Sequence, residues 1–316
     1  MSSAHLIINR RARRLEHETS PLLATLNRAA ERSRIAAHET FNVRELDAVA
    51  RKIVASAPRA VILAGGDGAY TAGVTALTHA CAAEGIAIPP VAFAPGGTVS
   101  TTARNWGMRG DLATYATRLL AAVAEDRARR SERPSLRVKD DDAERIGFIW
   151  GAGLVARFFH AYDAHPRAGY GAAAAIVARV FVGSPFGGKL ARRVLTPVPC
   201  EVWIDGSLQS APAYSLMVAS VVRDLGLHMR VLYRAGEDPE RLHFVASPLG
   251  APLLGPQMPL VLLGKRLRGR GHVDALTREA RVRFAARDDY VLDGDLHTTR
   301  EVTVRAGPRL VLLGPP

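Results

Sequence analysis

Three stretches of this sequence combine residue types and spacings that suit chemistry. The first is Gly65-Gly66-Asp67-Gly68, within VILAGGDGAYTAGV (61–74), where an apolar run breaks into three glycines around one carboxylate. Glycines let backbone N–H groups approach a phosphate, and a loop that leaves a parallel strand to open a helix is where doubly wound sheets bind such ligands. A carboxylate does not face a phosphate directly. Asp67 therefore suits a Mg²⁺ ion, a substrate hydroxyl or the capping of the following helix, and a lone GGDG also fits a plain strand-to-helix turn. The second stretch is PGGTVSTTARNWGM (95–108), a glycine and threonine loop that closes the next apolar strand and so belongs at the same sheet edge. The third is YVLDGD (290–295), whose Asp293-Gly294 pair is also the commonest short hairpin signal.

Positioning these loops requires strands and helices in alternation. HLIIN (5–9) reads as a strand, 20–33 as a helix capped by Ser20, and RIAAHET (34–40) as a second strand. Helix 42–57 places Leu46, Val49, Ile53 and Val54 on one face, AVILAG (60–65) is a buried strand, 69–85 a helix ending at Gly85, and 89–95 another strand. Residues 110–130 continue as a helix. Such alternation predicts a Rossmann-like parallel sheet with helices on its faces, over 1–133.

The polar stretch SERPSLRVKDDDA (131–143) reads as the domain boundary, with Asp140 to Asp142 a solvated turn. From 144 to 316 the pattern changes to closely spaced short strands: RIGFIWGAG, PCEVWIDGS, HMRVLYRAG, RLHFVASP, EARVRFAAR, YVLDGD, EVTVRAG and RLVLLG. One helical interruption falls at 172–182. An antiparallel β-sandwich or barrel is expected there. The final strand, 309–313, either completes that domain or packs back on the first.

A length of 316 residues accommodates two domains, and 48% hydrophobic with 23% charged residues is the balance of a folded protein. The net charge of +12 draws anions to the surface. Only Lys52, Lys139, Lys189 and Lys265 are lysines, so an arginine-favouring genome explains part of that excess. Cys81 and Cys200 have neither metal-ligand spacing nor a disulfide framework, which implies a reducing compartment. The opening MSSAHLIINRRARR carries its charges after a short apolar stretch, the wrong order for a secretory signal. The longest apolar segment, 170–182, contains Arg179 and is too short to span a bilayer.

The two glycine loops, with Asn9 at the end of the first strand and the DGD turn near the C-terminus, resemble the catalytic domain of the diacylglycerol kinase and sphingosine kinase family. That family carries an asparagine after its first strand, a GGDGT loop, a later GT-G-N-D-F-A-R loop and a D-G-E motif. The resemblance implies a two-domain kinase that binds ATP with Mg²⁺ between an α/β domain and a β-sandwich. It would phosphorylate the hydroxyl of diacylglycerol, sphingosine or ceramide, as a cytoplasmic protein peripherally associated with an anionic membrane; a homodimer is compatible with it. By the same resemblance Asn9, Arg10, Gly65, Gly66, Asp67, Gly68, Ala69, Gly97 and Thr98 would line the nucleotide, and Asp293 or Asp67 would accept the hydroxyl proton. The metal ligands stay unassigned. Ala69 stands where the family has threonine, Thr71-Ala72 replaces Asn-Glu, Ser100-Thr101 replaces Asn-Asp, and Asp295 replaces the glutamate of D-G-E. GEDPERLH (236–243) occupies the place of a metal-binding D-G-L turn. Alternatives are a kinase of a soluble acceptor, similar to NAD kinases, and a catalytically weak nucleotide- or lipid-binding protein.

Other patterns carry less. GSPFGGKL (183–190) fits G-x-x-x-x-G-K but has Leu190 where a P-loop needs Ser or Thr. His160 and His165 flank Asp163 at a spacing that does not share one helix face. KRLRGRGH (265–272) has no interleaved aromatics for nucleic acid, which is not an expected partner. It follows the apolar APLLGPQMPLVLLG (251–264), so the pair reads either as an anionic-lipid contact or as a buried strand with a solvated loop.

Overall fold

A computed structural model describes residues 4–97, 100–164 and 170–316. The chain divides into two compact units, Met1–Arg133 with Arg309–Pro316, and Pro134–Pro308.

In the first unit the chain runs β1 (Ala4–Asn9), α1 (Pro21–Arg32), β2 (Ala36–Thr40), α2 (Val43–Ala55), β3 (Ala60–Gly65), α3 (Asp67–Glu84), β4 (Val91–Pro95), α4 (Thr101–Asn105), α5 (Leu112–Ala124) and β5 (Arg129–Arg133). Local chemistry marks the helix ends. Ser20 accepts the Leu23 N–H at the start of α1, Asn42 accepts the Glu45 N–H at the start of α2, and Gly85 closes α3 in the left-handed region. β3 and β4 are buried along their whole length, as strands covered on both faces must be. The strand order is β2-β1-β3-β4, then the final strand Leu310–Gly314, then β5. β1 to β4 and the final strand pair in parallel, and β5 lies antiparallel to the final strand. Leu6, Ile8 and Ile62 pack with Leu23 and Leu26 of α1 and with Leu119 and Leu120 of α5.

The second unit holds β6 (Leu136–Asp140), β7 (Glu144–Gly147), β8 (Ile149–Gly153), α6 (Leu154–Asp163), α7 (Tyr170–Gly183), α8 (Lys189–Val194), β9 (Val198–Ile204), β10 (Ser207–Leu208), β11 (Ala213–Tyr214), β12 (Leu216–Ser220), β13 (Leu242–Ser247), α9 (Ala251–Leu254), a 3-10 turn (Gly255–Gln257), α10 (Met258–Leu262), β14 (Val273–Thr277), β15 (Glu279–Leu292) and β16 (Asp295–Ala306). Its strands form one large antiparallel sheet in the order β14-β13-β12-β8-β15-β16-β6-β7. β15 pairs with β9 at one end and with β8 at the other, and its register against β16 shifts between Arg283 and Asp288. A shift of that kind lets a long strand bend. Trp150, Phe244 and Tyr290 pack ring against ring at its centre, with centroids 6.3 and 6.2 Å apart. The mixed α/β and antiparallel architecture is the class the strand spacing implies.

Several segments differ from expectation. The helix expected over 110–130 ends at Ala124 and gives way to β5, the expected boundary stretch contains β6, and α6 and α8 flank α7, so 172–182 does not interrupt the strands alone. HMRVLYRAG forms turns instead of a strand: Leu227 and His228 take positive φ, and Val231 and Leu232 are buried against α7 and α8. APLLGPQMPLVLLG forms short helical turns, because Pro252, Pro256 and Pro259 favour the first positions of successive turns. Asp140 is not solvated but 8% exposed, accepting the Tyr290 hydroxyl at 2.6 Å and pairing with Arg145 at 2.7 Å. Burial works to raise its carboxyl, yet these partners and two turn N–H groups hold it below the ordinary carboxylate range.

Candidate active site

In the first sheet, β1 has β2 on one side and β3 on the other. The order of strands therefore reverses between β1 and β3, and their carboxyl ends flank the crevice where doubly wound sheets take ligands. Asn9 ends β1, Gly65 ends β3 and Pro95 ends β4, so both glycine loops open at this edge.

The two loops touch backbone to backbone. The Gly97 N–H donates to the Gly65 carbonyl at 2.9 Å. A Cβ on Gly97 would stand 2.5 Å from Gly66 Cα, and one on Gly96 would stand 2.5 Å from Leu15 Cδ1. A Cβ on Gly65 would lie 2.3 Å from that of Ala69, which sits directly against the loop. The glycines are thus required by loop-on-loop and loop-on-helix contact, in addition to whatever approaches from outside.

Asp67, the first residue of α3, fastens the loops together. Its two oxygens accept the N–H groups of Thr101 at 2.7 Å and Thr102 at 2.9 Å, at the start of α4. Burial pushes its carboxyl up from the ordinary value, against the lowering effect of these two bonds and of Arg104. Gly66 caps α3 without a side-chain acceptor, so the first turn of this 18-residue helix offers its N–H groups and the positive end of its dipole to an anion. Thr98 lies outside the described residues.

Asn9 accepts the Arg11 N–H through Oδ1 at 2.9 Å, shaping the turn after β1. The same turn is joined to the second glycine loop where the Arg14 N–H donates to the Gly96 carbonyl at 3.2 Å. Arg10 is an internal brace, 4% exposed: it pairs with Glu18 at 2.6 Å and Glu39 at 2.7 Å and donates to the Leu15 and Glu16 carbonyls. Two positioning residues escaped sequence reading. Leu15 fills the space under Gly96, and Tyr70, fully buried, stacks on Phe93 at 4.3 Å while its hydroxyl donates to the Ala94 carbonyl at 2.9 Å. The available signal for Tyr70 was a lone aromatic among small residues opening α3.

In the second unit, Asp293 and Gly294 form the two-residue hairpin loop between β15 and β16, with φ of +49° and +100°. Asp293 does more than turn the chain. Its Oδ2 accepts the Phe148 N–H and its Oδ1 the Ile149 N–H, each at 2.8 Å, and its own N–H donates to the Ile149 carbonyl at 2.9 Å. Gly147 makes room for this clasp, since a Cβ there would fall 2.5 Å from Asp293 Oδ2.

The donor set fits the phosphates of a nucleotide better than a preformed metal site. Among the described residues no three His, Cys, Asp or Glu side chains converge. In GEDPERLH, Glu237 pairs with Arg234 at 3.2 Å and Asp238 with Arg241 at 3.3 Å. His160 is engaged by Asp289 at 2.7 Å, and His165 lies outside the described residues. GSPFGGKL follows the helix α7, not the strand a P-loop requires. No helix among the described residues is long and apolar enough to cross a membrane.

Residues 3–129 match the family model of the diacylglycerol kinase catalytic domain. Solved structures from Bacillus anthracis str. Sterne share the fold of the whole chain. One, named as a diacylglycerol kinase, is 14% identical with a TM-score of 0.62, and 100% of this chain aligns with 97% of that one. Two more, named as candidate diacylglycerol kinases, are 15% and 14% identical with TM-scores of 0.67 and 0.68, covering 100% and 98% of this chain and 97% of each of theirs. No curated protein matches the chain.

Proposed function

We propose that this chain, whose residues 3–129 carry a catalytic domain of the diacylglycerol kinase family, transfers the γ-phosphoryl group of ATP to the hydroxyl of a diacylglycerol-like or sphingoid lipid. The observation that carries the reading is the pair of glycine loops fastened by Asp67 at the switch point of the parallel sheet, opening on the uncapped first turn of α3.

In phosphoryl transfer the protein contributes mainly position and charge stabilisation, because the transition state is loose and in line. The N–H groups in the first turn of α3 would hold phosphate oxygens, the Gly97 N–H being given to the Gly65 carbonyl, with Asn9 and Ala69 shaping the floor. Magnesium, when bound, would neutralise charge on the phosphates, and with no converging carboxylates in the described residues it would enter largely on the nucleotide's own oxygens.

Asp67 and Asp293 are both candidates to accept the lipid hydroxyl proton, and they differ in what loss of charge should do. Asp67→Asn removes one of the two bonds that hold α4 to the glycine loop and should weaken nucleotide binding. Asp293→Asn leaves that loop untouched and should lower turnover at unchanged nucleotide affinity. The test is transfer of labelled γ-phosphate from ATP to diacylglycerol, sphingosine and ceramide in mixed micelles, with NAD as the contrasting soluble acceptor. Labelling of a lipid supports the reading; labelling of NAD alone assigns a soluble acceptor instead.

A further inference from the structure

Outside the candidate active site, the second unit carries a surface that is apolar, basic and free of acid. Between Asp163 and Glu201, and again between Glu240 and Asp274, the sequence contains no aspartate or glutamate. The fold brings these two segments together. The end of α7 meets the 3-10 turn so closely that a Cβ on Gly255 would lie 2.1 Å from that of Ser184. Val180 of α7, Ala191 and Val194 of α8 and Leu254 of α9 share one buried cluster beneath.

Above that cluster, large apolar side chains face outward. Phe186 is 87% exposed, Val182 70%, Leu263 66% and Leu253 63%. Val182 and Phe186 flank Ser184, and Leu253 lies two residues before Gly255, so they border the point of contact. The basic loop is held to the same place: Gln257 donates to the Arg268 carbonyl at 2.8 Å and accepts the Arg268 N–H at 2.7 Å. Between α7 and α8 lies a groove of about 500 Å³, lined by Ala178, Val182, Leu190 and Ala191 with Arg179 and Lys189.

We propose that this face docks on an anionic lipid bilayer, with Val182, Phe186, Leu253 and Leu263 entering the interface and Arg179, Lys189, Arg192, Arg193 and the Lys265–Arg270 loop meeting the headgroups. Charge complementarity selects this occupant. Among the described residues, none of Arg179, Lys189, Arg192, Arg193, Lys265, Arg268 and Arg270 has a carboxylate within ion-pair distance; Arg266 of the same loop does, lying 3.7 Å from Asp274. Exposed apolar side chains ringed by unpaired cations are the arrangement of interfacial membrane contacts.

The inference stands apart from the kinase reading, since binding is measured without nucleotide or acceptor. Full-length protein is sedimented with vesicles of phosphatidylcholine alone and of phosphatidylcholine mixed with phosphatidylglycerol. Binding to the mixed vesicles only, weakened by added salt, is expected. Each cation near an anionic leaflet is worth about fivefold in binding, so Lys189→Gln with Arg192→Gln and Arg193→Gln should weaken it on the order of a hundredfold. Phe186→Ser with Leu253→Ser should weaken it as well. Arg44→Gln with Arg51→Gln and Lys52→Gln, on the exposed face of α2, removes the same number of charges elsewhere and should matter little. Circular dichroism and the thermal midpoint confirm that each variant is folded. Equal binding to both vesicle types, no binding to either, or an equal effect of the α2 control would overturn the proposal.

Discussion

Replacing Asp293 by asparagine separates a structural role from a chemical one. The carboxylate accepts the Phe148 and Ile149 N–H groups, both at 2.8 Å, and is 6% exposed. Asparagine keeps one acceptor and turns an NH₂ group toward the other N–H. Its backbone tolerates the observed φ of +49°, so the hairpin itself survives. The loss is one charge-assisted hydrogen bond and one buried N–H left unpaired, about 2–3 kcal/mol together. For a unit of this size each kcal/mol moves the midpoint by about 2–4 °C, giving a drop of about 4–12 °C. Differential scanning calorimetry reads it directly, on the transition of the second unit. Gly147→Ala should lower the same transition, because its Cβ would press within 2.5 Å of Asp293 Oδ2. A midpoint within about 1 °C of wild type for Asp293→Asn would refute the clasp and leave Asp293 a plain turn residue.

Other outcomes follow from the same contacts. Gly97→Ala forces a Cβ to within 2.5 Å of Gly66 Cα, so the loops must part; nucleotide affinity by calorimetric titration should fall about tenfold or more, with the stability of the second unit unchanged. Asp67→Asn removes one of the two bonds to α4 and should cost about 1.5–3 kcal/mol in the first unit, seen as faster amide exchange at Thr101 and Thr102. Asp140 and Asp274 both have carboxyls held below their ordinary range; burial opposes this, but Tyr290, turn N–H groups and Arg145 outweigh it for Asp140, and His243, Tyr233 and Arg266 outweigh it for Asp274. A depressed folded-state value contributes stability above the unfolded-state value and loses it as pH falls. The thermal midpoint of the second unit should therefore be level above about pH 5 and drop below about pH 4, and Asp140→Asn should lower the plateau and shallow the acid limb.

The parallel sheet was legible because its strands are short apolar runs separated by capped helices, and Ser20, Asn42 and Gly85 stand where those caps form. The closeness of the two glycine loops to one sheet edge was legible, but not that they are partners for each other. Nothing local in Gly65-Gly66 or Gly96-Gly97 encodes that one backbone rests on the other, or that Asp67 reaches a helix 34 residues away. Arg10 looked available for a phosphate and is instead enclosed by Glu18 and Glu39, one of them across a strand pairing. In the second half, Val231 and Leu232 gave a strand-like run whose apolar residues are satisfied by helix packing without pairing. Asp140 read as solvated because the Tyr290 hydroxyl that buries it comes from 150 residues further on. Local pattern names an element; long-range contact decides what its polar atoms do.

The most direct test of the kinase reading is transfer of labelled γ-phosphate from ATP to a panel of diacylglycerol, sphingosine and ceramide in mixed micelles, for wild type, Asp67→Asn and Asp293→Asn, with nucleotide affinity measured on the same preparations. The expected result is labelling of one lipid class by the wild type, weakened nucleotide binding for Asp67→Asn, and slowed transfer at wild-type nucleotide affinity for Asp293→Asn. Tight ATP binding with no lipid labelled would contradict lipid kinase activity.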